Sequence, residues 1–138
     1  MNKTFLFRCL CLAFLASAAC LHASTDSAEH YLSRTQQYLG KHITVQVAYV
    51  TSYAAGPPQP GTVWFTAYTA SRHSRLGGTI PVLVKKKDAK QFAKNYGSSL
   101  QGSLGNGSIV TKPLTGVFSK TALEKCYIDC TVSAASAK

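Results

Sequence analysis

Residues 78–97, with the sequence GTIPVLVKKKDAKQFAKNYG, change within a short distance from the periodicity of a strand to that of a helix. In the first half Ile80, Val82 and Val84 alternate with other residues, which is the pattern of a strand with one buried face. From Asp88 onward the apolar residues recur at helical spacing, and the last of them is Tyr96. The stretch therefore predicts a strand, a lysine-rich connection and a helix that begins near Asp88.

Local signals predict both ends of this helix. Asp88 and Gln91 have the spacing of a capping box, in which each side chain pairs with a free backbone amide of the first turn. Gly97 stands where many helices end on a residue with left-handed backbone, a conformation that glycine adopts without steric cost. We therefore predict Asp88 as the N-cap and Gly97 as the residue that ends the helix.

The chain opens with a segment typical of a secretory signal. Lys3 and Arg8 precede a short apolar run, residues 10–19, and small residues follow it. The sequence therefore predicts export with removal of residues 1–23. Cleavage after Ala19, or before Cys20 with lipidation, are the alternatives. In each case the protein is expected in the periplasm or outside the cell.

Size and charge limit the class of protein. Removal of the signal leaves about 115 residues, the size of one small domain. The full chain has 15 Lys and Arg against 5 Asp and Glu, a formal net charge of +10, and about +8 stays with the mature part. This excess favours polyanionic partners, namely an anionic polysaccharide, nucleic acid or a membrane surface. A merely solvated, lysine-rich surface is the alternative.

The other residues predict a second helix and four more strands. A D-x-x-E start at Asp26 and a moderate apolar stripe predict an N-terminal helix within residues 24–40, closed by Gly40. Alternation of apolar residues predicts strands over residues 41–52, 62–69, 112–118 and 126–133. The inward side chains are expected to be Ile43, Val45, Val47 and Tyr49 on the first strand, and Cys126, Ile128, Cys130 and Val132 on the last.

The second of the five strands separates two kinds of side chain. Val63, Phe65 and Ala67 alternate with Trp64, Thr66 and Tyr68. If the first set lines the core, Trp64 and Tyr68 lie on the outer surface of the sheet.

Cys126 and Cys130 are predicted to be free thiols. Four positions along an extended strand cover roughly 13 Å, at about 3.3 Å per residue. A disulfide needs Cα atoms within about 7 Å, so the two cysteines could pair only if residues 127–129 formed a tight turn, which is the alternative. The two cysteines are therefore expected to act as small apolar residues.

The order of elements resembles the OB-fold, a five-stranded Greek-key barrel with a helix between the third and fourth strands. The resemblance covers residues 41–133 and rests on this order, on Gly40 before the first strand and on Gly116 within the fourth. It implies a mainly β (α+β) domain whose internal helix plugs one barrel end, preceded by the N-terminal helix and followed by a disordered tail, 134–138. An open antiparallel sheet under both helices is the alternative.

The resemblance also implies a binding surface across the second and third strands, flanked by the loops after the first and fourth. Aromatic rings bordered by cations suit stacked bases, and such rings also suit the apolar faces of sugars. The candidate ligand-binding residues are Trp64, Tyr68, Arg72, Arg75, Lys85, Lys86 and Lys90. Alternatively, the first helix covers Trp64, Tyr68 and Leu83, and the lysines only aid solubility.

Motifs for catalysis or metal binding are lacking in this sequence. Its five acidic residues form no evident catalytic pair, and the C-x3-C spacing of Cys126 and Cys130 is poor for zinc. We therefore predict a non-catalytic binding domain of the cell envelope, without metal or cofactor, that grips an anionic polymer or glycan. The alternative is an interaction or scaffold domain that docks another envelope protein.

Overall fold

A computed structural model describes residues 27–53, 56, 59–70, 76–97 and 110–132. The predicted signal segment and the predicted tail lie outside these ranges. The helices are α1 (Ala28–Leu32), α2 (Thr35–Tyr38) and α3 (Ala89–Tyr96). The strands are β1 (His42–Ser52), β2 (Thr62–Ala70), β3 (Leu76–Lys85), β4 (Lys112–Lys120) and β5 (Cys126–Asp129). Within the described ranges, each helix is too short or too polar to cross a membrane.

The five strands close into a barrel in the order β1-β2-β3-β5-β4, with β4 paired back onto β1. β3 and β5 run parallel, whereas the other neighbouring strands are antiparallel. The predicted architecture is confirmed: a mainly β, OB-like barrel with a helix between the third and fourth strands. The open-sheet alternative is wrong, because closure of the barrel pairs the edges that an open sheet would leave free.

The inward side chains of all five strands form one core. Ile80, Val82 and Ile128 have no exposed surface, as the alternation of β3 and β5 predicts. Gly116 of β4 lies at a close approach, since a Cβ atom there would stand 2.5 Å from Cγ2 of Ile128 and 2.8 Å from the carbonyl oxygen of Asp129. A side chain at this position would push β4 away from β5.

Helix α3 plugs one end of the barrel, as predicted. The buried ring of Phe92 packs on Phe65 with centroids 4.9 Å apart. The Tyr96 hydroxyl donates to the carbonyl oxygen of Pro113 at 2.9 Å, which ties the helix to β4. The helix therefore covers apolar side chains that an open barrel end would expose to water.

The predicted positions of both ends of α3 are confirmed, with Asp88 as the N-cap and Gly97 as the C-cap, but the predicted capping box and the predicted left-handed glycine are wrong. The turn Lys86–Asp88 is a 3-10 helix, so Asp88 already has right-handed backbone (φ −97°, ψ −7°) rather than the extended backbone that a capping side chain needs. The Asp88 side chain makes no capping hydrogen bond. Gln91 donates to Asn95 Oδ1 at 2.8 Å instead. Gly97 also has right-handed backbone, with φ −78°.

Helices α1 and α2 close the other end of the barrel. Ala28 and Tyr31 enter the main core, and the Tyr31 hydroxyl donates to the Thr44 carbonyl at 2.9 Å. The buried Thr69 hydroxyl accepts from the Ala28 amide at 2.8 Å. Because the apolar side of α1, with Ala28 and Tyr31, packs into this end of the barrel, the alternative in which the first helix covers Trp64 is wrong.

The N-terminal helix differs in detail from the prediction. A turn at residues 33–34 divides it into two short helices. Ser27 is its N-cap, with the Ser27 hydroxyl accepting from the His30 amide at 3.4 Å, while Asp26 lies outside the described residues. Gly40 ends the segment as predicted and has φ +78°, a left-handed conformation that favours glycine.

A β-bulge in β1 reverses its alternation. The pairing of β1 with β2 shifts between Val47 and Tyr49, so Ala48 is an extra residue. Val50 consequently faces the core, and Tyr49 lies outside against Tyr68. The prediction that Tyr49 faces inward is therefore wrong.

Strand β5 is shorter than predicted. It ends at Asp129, and Val132 is 45% exposed rather than inward. Cys126 and Cys130 are free and pack, partly buried, against the core, which confirms the prediction of two unpaired thiols.

Candidate ligand-binding site

The outer surface of β1, β2, β3 and β5 forms a wall of ordered side-chain rows. One row contains Thr51, Thr66 and Pro81, because these residues are paired across β1, β2 and β3. The next row holds Trp64 and Leu83. The alternation of each strand thus brings the large outward side chains together on one side of the barrel.

Trp64, Leu83 and Tyr127 form a compact cluster on this wall, here called the covered group. The rings of Trp64 and Tyr127 meet edge to face, with centroids 5.1 Å apart and planes at 90°. Leu83 has no exposed surface, and Trp64 is only 8% exposed. Trp64 Nε1 also donates to the Gly56 carbonyl at 3.1 Å, so the indole joins the β1–β2 loop (residues 53–61) to the wall.

An apolar pocket of about 330 Å³ lies next to the covered group. Trp64, Pro81 and Tyr127 contribute from the strands, and Tyr53 and Gly56 from the β1–β2 loop. The remaining lining residues are Thr121, Ala122, Leu123, Lys125 and Cys126. Two loops thus enclose a space with three aromatic side chains.

The β4–β5 loop (residues 121–125) holds its side of the pocket through a tight turn. The Thr121 amide donates to the Lys125 carbonyl at 2.9 Å, and the Thr121 hydroxyl accepts from the Lys125 amide at 3.2 Å. Glu124 has φ +64°, and its carboxylate is ion-paired with Lys120. This turn presents Leu123, which is 81% exposed, at the rim of the pocket.

The charge around the pocket is positive. Lys125 is the charged residue among the described residues that line the pocket. Lys85 lies two residues after Leu83 on the outward face of β3 and is exposed. The buried Asp129 carboxylate accepts from the amide and the hydroxyl of Thr131, at 2.8 and 2.6 Å. Asp129, which is paired with Leu83 of the covered group, therefore has its carboxylate engaged by Thr131.

Two cysteines of one short segment have different surroundings. Cys126 lines the pocket. Burial, and secondarily the nearby Asp129 carboxylate, raise the pKa of the Cys130 thiol to about 12. Cys130 is therefore protonated at neutral pH and is a poor nucleophile. The described residues contain no cluster of three or more His, Cys, Asp or Glu side chains that would hold a metal ion.

Tyr49 and Tyr68 form a second aromatic group on the wall, here called the tyrosine pair. Their rings are stacked with centroids 4.2 Å apart and planes at 11°. Both side chains are half-buried, in contrast to the nearly covered Trp64. Burial is the larger cause, and Tyr68 the smaller, of a raised pKa for the Tyr49 hydroxyl.

The structure brings together only some of the predicted binding residues. Trp64 lies in the pocket, whereas Tyr68 lies farther along β2 in the tyrosine pair. Lys85, Lys86 and Lys90 are exposed at the barrel end that α3 plugs. Arg72 and Arg75 lie outside the described residues.

Several pocket residues were not among the predicted ones. They are Tyr53, Gly56, Pro81, Thr121, Ala122, Leu123, Lys125, Cys126 and Tyr127. The OB-like order did indicate both loops as flanks of a binding surface. The alternation of the last strand, with Cys126 and Ile128 inward, also left Tyr127 on the outer face, but the loop residues had no sequence signal of their own.

Comparisons of the chain with protein families, with curated proteins and with solved structures found no match.

Proposed function

We propose that the protein is a non-catalytic binding domain of the OB-fold superfamily, which grips an anionic polymer or glycan on the outer face of β2 and β3. The observation that carries this proposal is the apolar pocket of about 330 Å³ between the β1–β2 and β4–β5 loops. Ligands of OB-fold proteins commonly bind on this face between these loops.

The pocket walls favour a ligand that contains rings. Tyr53 offers an aromatic ring that is 45% exposed, Pro81 and Leu123 add aliphatic surface, and the nearly covered Trp64 and Tyr127 form an apolar part of the pocket wall. Aromatic side chains of this kind bind planar bases and the apolar faces of sugar rings. Lys125 at the pocket and Lys85 nearby supply positive charge for carboxylate or phosphate groups on such a ligand.

The chemistry of the lining supports binding without catalysis. The residues that line the pocket include no Asp, Glu or His, which are the usual proton-transfer groups of hydrolytic sites. Cys126 lies there without a neighbouring His or carboxylate among the described lining residues. We therefore propose retention of a ligand rather than its conversion.

We further propose that the protein works after export, in the periplasm or outside the cell. The signal-like residues 1–23 support this location. Anionic polysaccharides are regular polyanions there, which makes them the first ligands to test. Nucleic acid and anionic membrane surfaces share the required charge.

A second candidate function is the docking of another envelope protein. Leu123 and Tyr53 favour it, because they expose apolar surface at the pocket rim, 81% and 45% of each residue. Exposed apolar side chains around a concavity are frequent at protein interfaces.

The first test is electrophoresis of the purified protein through gels that contain polygalacturonate or hyaluronan. We expect retardation that weakens steeply with added salt, as contacts between lysines and a polyanion require. Leu123→Ala is expected to reduce the retardation by removing one wall of the pocket. Val110→Ala is the matched control, because Val110 is 60% exposed and does not line the pocket.

Alkylation of Cys126, which lines the pocket and has its Sγ 3.7 Å from Thr35 Oγ1, gives a second readout of binding. Iodoacetamide at pH 7.5 is expected to modify Cys126 in the free protein, and bound polymer is expected to slow this reaction. Cys130 serves as the internal reference, because the pKa of its thiol is raised to about 12. Retardation that resists salt and survives Leu123→Ala, or unchanged alkylation of Cys126, would contradict the proposal.

A further inference from the structure

Tyr68 of the tyrosine pair lies on the outward face of β2, as does Trp64 of the pocket. Tyr68 follows Trp64 by four positions, a separation of about 13 Å at roughly 3.3 Å per residue. Thr66 occupies the outward position between them and is paired with Pro81, which lines the pocket. Since Tyr68 is paired with Thr79, it is a diagonal neighbour of Pro81. The wall is thus continuous from the pocket to the pair.

The stacked geometry leaves aromatic surface for a ligand. Tyr49 and Tyr68 stack face to face, with planes at 11°, and both remain partly exposed. Trp64 and Tyr127, in contrast, meet at 90° and are nearly covered by neighbouring side chains. The pair can therefore extend its stack by one ring of a bound molecule, whereas the covered group shapes one wall of the pocket.

The groups between the two aromatic sites are hydroxyls. Thr51 and Thr66 lie in the row between them, and Thr79 lies beside Tyr68. Among the described residues of the wall, the cations stand at the pocket end, with Lys125 in the lining and Lys85 beyond Leu83. A single-stranded nucleic acid requires positive groups that follow its phosphates along the whole groove. Threonine hydroxyls instead suit the hydroxyl groups of sugars.

We propose that the Tyr49–Tyr68 pair is a second subsite, and that the ligand is an acidic glycan chain that runs along β2 from the pocket to this pair. The inference rests on the proposed function, because it assigns the class of ligand to the same wall. A separation of about 13 Å, at about 3.3 Å per residue along the strand, exceeds the width of one ring, so the ligand has to be an oligomer.

The test is a length series of oligogalacturonides and hyaluronan oligosaccharides, with the dissociation constant measured by titration calorimetry. Affinity is expected to rise with chain length until the chain reaches the tyrosine pair, and then to level off. Tyr68→Ala is expected to weaken binding of the long chains about tenfold, in keeping with the loss of one stacked ring. The same variant is expected to leave the short chains unchanged.

Two variants separate stacking from a general effect on the barrel. Tyr68→Phe keeps the ring and is expected to retain the affinity for long chains. Leu123→Ala is expected to weaken short and long chains alike, because every chain occupies the pocket. Equal affinities for short and long chains, or an unaltered length dependence in Tyr68→Ala, would overturn the second subsite.

Protection of Cys126 from iodoacetamide helps to distinguish failure of the second subsite from failure of ligand binding in the pocket. If short chains protect Cys126 but length adds nothing, the second subsite is wrong and the pocket still binds. If no oligosaccharide binds in the calorimeter or protects Cys126, the proposed function fails together with this inference. Preferential binding of oligo-deoxythymidylate of matched length would overturn the assignment of a glycan.

Discussion

Two aromatic groups on the same outer wall, the covered group and the tyrosine pair, are packed in opposite ways. In the covered group, Trp64 meets Tyr127 edge to face at 5.1 Å, and Leu83 has no exposed surface. In the tyrosine pair, Tyr49 and Tyr68 lie parallel at 4.2 Å and stay partly exposed. The two arrangements differ in how many parts of the chain supply them.

The covered group depends on several elements, whereas the pair depends on two adjacent strands. β2, β3 and β5 each supply one side chain to the covered group, and Gly56 of the β1–β2 loop accepts a hydrogen bond from Trp64. The pair forms between paired residues of β1 and β2. We infer that the covered group stabilises the barrel and shapes the pocket, while the pair is free to bind.

The largest expected effect is that of Trp64→Ala on stability. The change removes a nearly buried indole, leaves a cavity above Leu83 and breaks the bond to Gly56. We expect the free energy of unfolding to fall by about 3 kcal/mol. Urea unfolding followed by circular dichroism measures this loss.

Tyr68→Ala is the control in the same experiment. It removes one ring of a partly exposed cross-strand pair, so the expected loss is about 1 kcal/mol. Equal losses for the two variants would mean that both groups serve the barrel in the same way. The inference that the covered group stabilises the barrel more than the tyrosine pair does would then be wrong.

A smaller effect is expected from Trp64→Phe, which isolates the link between the covered group and the loop. The phenyl ring fills part of the space but lacks the Nε1–H that donates to the Gly56 carbonyl at 3.1 Å. We expect a loss of about 1 kcal/mol in the free energy of unfolding, typical of one hydrogen bond. Ligand binding is expected to weaken as well, because the β1–β2 loop forms one side of the pocket.

Calorimetric titration with an acidic oligosaccharide measures this second effect. Val110→Ala is a suitable control, since Val110 is 60% exposed and does not line the pocket. Full affinity in Trp64→Phe would show that the hydrogen bond to Gly56 does not position the loop.

The sequence predicts the barrel well because the alternation of apolar residues is a local signal that recurs in each strand. The change of period within residues 78–97 places β3 and α3, and the order of elements matches the closed barrel. The bulge in β1 escapes prediction, because residues 47–50 read Val-Ala-Tyr-Val and are apolar on both faces. Such a run does not show where the alternation reverses.

The pocket was less predictable, because distant residues create it. Trp64 is outward on β2, as predicted, but Tyr127 of β5 and Gly56 of a loop decide that it is nearly covered. Leu123 reaches the rim through a turn in which Glu124 has φ +64°. Neither the packing nor this backbone conformation has a local signal in the sequence.

The smallest expected effect concerns the ionisation of Tyr49 in the tyrosine pair. Burial raises the pKa of the Tyr49 hydroxyl first, and the neighbouring Tyr68 raises it further. Tyr68→Phe removes the second cause, so we expect the Tyr49 pKa to fall part of the way toward its usual value. Tyr127 of the covered group is the reference, because burial and Asp129 raise its pKa and Tyr68 does not contribute. NMR titration of ring-labelled tyrosine measures both.

The direction in which pH changes the stability follows from the raised pKa of the Tyr49 hydroxyl. The Tyr49 hydroxyl of the folded protein keeps its proton at a higher pH than in the unfolded chain, whose tyrosines ionise near pH 10, as unperturbed tyrosine does. The resulting stabilisation is complete below about pH 10 and is lost as the pH rises through the folded-state pKa. Tyr68→Phe is expected to lose less stability between pH 9 and pH 11 than the unmodified protein. Identical alkaline losses, with an unchanged Tyr49 titration, would mean that the two hydroxyls do not interact across the stack.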